Sequence, residues 1–250
     1  MDIDLHGARI YTIVENSPIG EIHITQTMIM GWIVLIVLSF ICWILGRNLK
    51  VTGISKRQAI AEWIVELLNN FVRGNMGDKF DYYIPFIGAL FGTAIFSNMI
   101  SLVGGCWSPT ADLATEAGWA IIVLILITKH KIKANGFGRY LKGYLDPIPV
   151  MLPMNIISEF STPVSMACRH FGNILSGMVI GTLIYSALGL ASAALLGLIP
   201  VVGGWLAANI PILEIGLPAV TSLYFDWFSG LIQPFIFCTL TCIFIKQASE

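Results

Sequence analysis

The 250 residues are 56% hydrophobic and only 12% charged, with a formal net charge of −1 and a mean hydropathy of +0.79. Soluble domains carry about 25% charged residues, so half that share cannot cover a water-exposed surface of this size. The composition excludes a soluble domain and predicts an all-α polytopic membrane protein, while the near-zero net charge says nothing about partners.

Residues 1–27 carry Asp2, Asp4, Glu15 and Glu21 against Arg9. They lack the basic-then-apolar layout of a cleaved signal peptide and are read as a short external tail. Residues 28–146 hold the first span, a surface helix and a transmembrane hairpin. The first span runs from about Met28 to Leu45 and is closed by Gly46, Arg47, Asn48 and Lys50. From Ser55 to Arg73, Ile60, Trp63, Ile64, Leu67, Leu68 and Phe71 recur with helical period among Lys56, Arg57, Glu62 and Glu66. This is the pattern of an amphipathic helix on a membrane surface. Tyr82 to Val103 reads as the second span, with Gly88 and Gly92 spaced for close helix contact. The apolar run Trp119 to Thr128 is too short alone, so a third span must begin near Asp112, with Asp112 and Glu116 at its outer end.

Residues 147–250 hold two apolar tracts, about 147–198 and 210–245. Each far exceeds the ~20 residues that cross a bilayer upright. They are expected to tilt steeply or break, with Pro163, Pro218 and Pro234 as places to bend. The total is about five spans. Basic residues gather in two connections: Arg47, Lys50, Lys56, Arg57, Arg73 and Lys79, then Lys129, Lys131, Lys133, Arg139 and Lys142. The positive-inside rule makes both cytoplasmic, with the amino terminus outside and the carboxyl terminus inside. The five cysteines show no zinc spacing, no metal site is expected, and Cys238 with Cys242 reads as packing.

Two polar stripes cross the apolar tracts. Ser158, Thr162, Ser165, Arg169, Asn173 and Ser176 recur at spacings of three and four, and Ser222, Asp226, Ser229 and Gln233 do the same further on. An arginine at mid-helix costs roughly 2.5 to 3.5 kcal/mol on insertion scales, and unlike lysine it cannot escape by losing its proton. Arg169, Asp226 and Gln233 therefore mark a water-accessible ion path or a charged partner. An alternative is a secondary transporter or channel that binds an anionic substrate at Arg169, but such proteins are built from internal repeats and the two halves do not correspond. A structural anchor has no use for an intramembrane Arg and Asp.

The run Ser165-Met-Ala-Cys-Arg169-His-Phe-Gly172-Asn173-Ile-Leu-Ser-Gly177 resembles the signature of subunit a of rotary F-type ATP synthases. So do Gln233 in Leu-Ile-Gln-Pro-Phe-Ile-Phe, Ser108-Pro-Thr-Ala-Asp112-Leu, and Asn155-Ile-Ile-Ser-Glu159-Phe. The resemblance implies a membrane stator, not an enzyme on its own. It implies two offset aqueous half-channels that pass H+ or Na+ to and from the carboxylates of a rotating c-ring, with Arg169 separating them. Asn173, Gln233 and Asp226 join Arg169 on the path, and Glu159, Asp112, Ser165, Ser176 and His170 are weaker channel candidates. Implied partners are the c-ring, the b subunits of the peripheral stalk and membrane lipid, with no nucleic acid and no bound cofactor. The implied site is a bacterial plasma membrane. In keeping with a chain that binds no nucleotide, it has no G-x-x-x-x-G-K-[ST] loop. It departs from many members in having His170 directly after the arginine and Met178 where a titratable residue is common. His170 lies roughly 100° around the helix from Arg169, which predicts a packed or hydrogen-bonded histidine in place of an ion relay.

Overall fold

In the computed structural model, residues 10–14, 22–102, 106–146, 148–197 and 223–249 are described. The chain folds as an all-α membrane protein with a small β-hairpin near its start. Strands β1 (Ile10–Val14) and β2 (Ile22–Thr25) pair antiparallel, with a register shift between Thr12 and Val14. The short external tail expected from the sequence thus carries a strand pair.

Helix α1 (Gln26–Gly46) begins where the Thr25 side chain accepts from the Met28 amide. Satisfying one of the four orphan amides at a helix start fixes the turn from strand to helix. Trp32, Ile36, Phe40 and Trp43 are exposed, as expected of a helix whose surroundings are lipid. Helix α2 (Lys56–Met76) is capped by Ser55. It buries Val72 and Met76 and presents Ile60, Trp63 and Leu67 outward, the apolar stripe of an interfacial helix. The link before it is tied down by Gln58, which accepts from Lys50 N at 2.9 Å and donates to Lys50 O at 2.7 Å.

A 3-10 segment, Asp78–Tyr83, leads into α3 (Ile84–Met99). A Cβ at Gly88 would stand 3.0 Å from Leu68 Cδ1 on α2, and one at Gly92 would stand 3.3 Å from Leu38 Cδ2 on α1. The two glycines thus let two different helices approach α3. Helix α4 (Leu113–Asn135) starts at Asp112, whose Oδ1 accepts from Ala114 N at 3.0 Å. Its apolar tail runs into Lys129, Lys131 and Lys133, and the short α5 (Phe137–Gly143) follows.

Helix α6 (Leu152–Gly197) is one unbroken helix of 46 residues that runs through Pro163. At roughly 1.5 Å per residue it is about 69 Å long, more than twice a hydrocarbon core. A break at Pro163, one of the two expected outcomes, does not occur. The second long tract is described from a π-helical segment, Leu223–Ser229, into α7 (Gly230–Gln247), which continues through Pro234; Pro218 and Ser222 lie outside the described residues. Among the described residues five helical stretches are long and apolar enough to cross a membrane.

Helix α4 packs along α6, and α3 along α7. Val72, Ile87, Val123, Cys238, Cys242 and Ile245 are fully buried where α2, α3, α4 and α7 meet. The two cysteines serve as core residues, as their helical spacing predicts.

Candidate functional site: two polar cavities on one helix

Arg169 is exposed on the outer face of α6, and among the described residues no carboxylate lies within ion-pair distance of it. It presents a positive charge on an apolar surface. Ser165, one turn before it, is exposed too.

One turn after Arg169, Asn173 donates through Nδ2 to Ser229 Oγ, and Ser176 Oγ donates to Asn173 O at 3.1 Å. Asn173 and Ser229 are thereby joined across α6 and the start of α7, so the two polar stripes meet at this point. Gln233 is half-buried one turn further along α7. Asp226 lies in the π-helical segment, and its side chain is outside the described residues.

Beside Asn173 lies a cavity of about 280 Å³, lined by Asn98, Ser101, Trp107, Ser108 and Met178 among others. It sits at the α3–α4 hairpin. Here Ser108 Oγ donates to Ser97 O at 2.7 Å and Thr110 Oγ1 donates to Asn98 Oδ1 at 2.5 Å, folding the hairpin back onto the end of α3. Asp112 is occupied next door: Oδ1 caps α4 and Oδ2 accepts from Thr27 Oγ1 at 3.0 Å.

A larger cavity of about 630 Å³ opens at the basic end of α4 and α6, between Lys131, Arg139, Tyr144, Asn155, Glu159 and Thr162. Lys131 Nζ donates to Glu159 Oε2 at 2.6 Å. Asn155 Nδ2 donates to the carbonyls of Tyr144 and Asp146 at 2.9 and 3.0 Å, tying the α5–α6 link to α6. Burial pushes the Tyr144 phenol above its ordinary range, and its contact with Tyr140 and the nearby Glu159 carboxylate act in the same direction.

Arg169 thus lies between two cavities strung along one helix: Pro163 lines the larger and Asn173 the smaller. That spacing is roughly 15 Å of helix axis.

The structure also joins residues that the sequence reading did not pair. His170 is 1% exposed and Glu116 is fully buried, and His170 Nδ1 lies 3.0 Å from Glu116 Oε2. On its other side His170 Nε2 lies 3.3 Å from Asn98 Nδ2, and Asn98 also donates to Gly230 O at 2.7 Å. His170 is thus buried and hydrogen-bonded to Asn98. The available signal for its partner was a carboxylate one turn inside an apolar helix.

A bundle of apolar helices, one of which carries an exposed arginine between two polar cavities, defines a multi-pass membrane protein. Residues 28–246 match the ATP synthase A chain family. The chain is 32% identical to ATP synthase subunit a 1 of Crocosphaera subtropica over 90% of its own length and 87% of that protein. It is 34% identical to ATP synthase subunit a of Desulforamulus reducens, over 89% and 78%. It is 31% identical to the sodium ion specific ATP synthase subunit a of Propionigenium modestum, over 89% and 73%. The chain belongs to the ATP synthase A chain family: it is a membrane-sector, ion-translocating subunit that works with the rest of an ATP synthase complex.

Proposed function

We propose that this chain is the stator against which a ring of carboxylate-bearing subunits turns, and that the two cavities are its offset half-channels. The observation that carries this reading is the exposure of Arg169 on α6 between a cavity at the hairpin end and one at the basic end. The positive-inside rule supports a cytoplasmic position for the Lys131–Glu159 cavity and an outer position for the Asn98–Asn173 cavity, with the amino terminus outside. A bacterial plasma membrane fits this arrangement.

A ring carboxylate facing lipid must be neutral, because an isolated charge in hydrocarbon is costly. Opposite Arg169 it is drawn to its ionised form: unit charges about 4 Å apart attract by about 4 kcal/mol at an effective dielectric of 20. The ion then leaves by one half-channel, and the site is refilled from the other only after the ring has turned. Because Arg169 stands between the cavities, ions cannot pass directly. Asn173 and Gln233 border this charge, Asp226 on the approach to α7 serves the outer path, and Glu159 serves the inner one. Proton and sodium ion both satisfy this scheme. The b subunits of the peripheral stalk hold the chain against rotation.

The test is ATP-driven ion uptake into membrane vesicles that carry the assembled complex, native against Arg169→Ala at matched assembly. Loss of uptake is expected. Coupled uptake at the native rate would remove Arg169 from the path and the stator reading with it.

A further inference from the structure

We propose that Glu116, His170 and Asn98 form a buried proton-exchange relay that serves the hairpin-end cavity; this rests on the reading of that cavity as an ion path. Glu116 lies in the first turn of α4 and His170 in the middle of α6, and both side chains are almost wholly excluded from the surroundings. A carboxylate and an imidazole are costly to bury, and the cost is offset only when every lone pair and proton is used. That condition is not met here. Glu116 Oε1 has no hydrogen-bond partner, and Oε2 sits 3.0 Å from His170 Nδ1, within proton-transfer reach but off the line of a hydrogen bond. A purely structural lock between α4 and α6 would engage both oxygens. An orphaned carboxylate oxygen beside an imidazole instead leaves room for a proton.

The pair is connected to the cavity by Asn98. Its amide touches His170 Nε2, Gly230 O and Thr110 Oγ1, while its side chain lines the cavity. One exchange balances as follows. Hydronium in the cavity gives a proton to His170 Nε2 as the Asn98 amide turns aside, and becomes water; the Nδ1 proton passes to Glu116 Oε2, and the carboxylate becomes a neutral carboxyl. The reverse returns the proton. His170 Nε2 is separated from the cavity by Asn98 alone, and only one carboxylate stands behind the imidazole, which suits a proton and not a hard alkali cation that needs several oxygens.

Among the described residues no other charged side chain forms an ion pair or hydrogen bond with this pair. Helix α3 contributes Asn98 and no charge, and α7 contributes Phe237, with its ring 6.1 Å from His170, and the Gly230 carbonyl. On α4, Trp119 lies 6.4 Å from the imidazole, and Asp112 is committed to its cap and to Thr27. On α6, Arg169 turns outward. Lys129, Lys131, Lys133, Glu159 and Lys246 lie toward the basic end of their helices. Asp226 precedes α7, with its side chain outside the described residues.

The experiment measures ATP-driven proton uptake across a pH series in vesicles carrying the whole complex. It compares native, Glu116→Gln, His170→Asn, the exchanged pair Glu116→His with His170→Glu, and Arg169→Ala. Either single change is expected to slow uptake by about a hundredfold or more, the scale of a lost proton-transfer group, and to flatten the limb of the pH profile that the pair supplies. The exchanged pair is expected to restore that limb. A native rate and profile in Glu116→Gln, or sodium uptake that is independent of pH in the native complex, overturns the relay. If the single variants fail to assemble, the exchanged pair decides: assembly without return of the limb assigns the two residues to packing. Pumping lost in Arg169→Ala but native in Glu116→Gln defeats this inference alone, whereas native pumping in Arg169→Ala defeats the ion-path reading beneath it.

Discussion

Asn173 on α6 donates a hydrogen bond to Ser229, the residue before α7, one helical turn from Arg169. This contact holds the two polar stripes in register beside the arginine, and Asn173 at the same time lines the hairpin-end cavity. Interhelical hydrogen bonds inside membranes contribute on average about 0.6 kcal/mol and at most about 1.7. Asn173→Ala is therefore expected to leave the complex assembled and to lower ion uptake, because the contact positions more than it stabilises. Assembly measured by blue native gels and uptake measured on the same vesicles should separate. A parallel loss of both would make Asn173 a packing residue.

Gly88 and Gly92 show how much of the bundle depends on atoms that are missing. Gly88→Ile puts a branched side chain where a single Cβ already stands 3.0 Å from Leu68. Overpacking a tight contact costs about 1–3 kcal/mol, so the variant is expected to unfold in detergent at a lower temperature. The interface between α2 and α3 should loosen first. Gly118→Ala, at a position where an added Cβ meets nothing, is the control and should melt like the native chain.

Much of this fold was legible because lipid imposes simple rules. Span length and flanking charge located α1 and α4 within a few residues, and Ser55 and Asp112 announced two helix starts. Period and spacing put Arg169 and Asn173 on one stripe and Ser229 on the other. Less visible were contacts between distant segments. Glu116 and His170 lie on different helices, and no periodicity within either segment reveals that their side chains meet. The β-hairpin was hidden because Ile10–Val14 is a run of only five residues beside Glu15 and Pro18, without the apolar–polar alternation of a strand and too short to outweigh the polar character of the tail. Pro163 was legible as a lost hydrogen bond, yet the bonds of its neighbours keep α6 continuous.

Arginine at position 169 is expected to be irreplaceable by lysine. Arg169→Lys keeps a positive charge in water, but on an apolar surface lysine neutralises itself and offers a point charge where the guanidinium offers a planar fork. Uptake should fall towards the level of Arg169→Ala, and furthest at alkaline pH. Coupled uptake close to native in Arg169→Lys would mean that charge alone suffices.

Asp226→Asn is expected to slow transport without loss of assembly, since it removes a titratable group while roughly keeping volume. Ion uptake followed against pH is the measurement, and a native rate with a native profile would take Asp226 off the path.

Lys131 and Glu159 should respond unequally to substitution. The Glu159 side chain is 11% exposed and its Oε1 has no partner, so Lys131 supplies the main compensation for its charge, while Lys131 itself is 34% exposed and partly hydrated. Removing the lysine leaves a poorly solvated carboxylate behind, whereas removing the carboxylate leaves a cation that water reaches. Lys131→Ala is thus expected to destabilise the complex more than Glu159→Gln, with the double variant recovering part of the loss. A coupling on the order of 0.5–3 kcal/mol is the range for residues in direct contact. Melting of the four complexes in detergent closes this cycle. Strict additivity would show that water in the wide cavity at the basic end, and not Lys131, compensates the Glu159 charge.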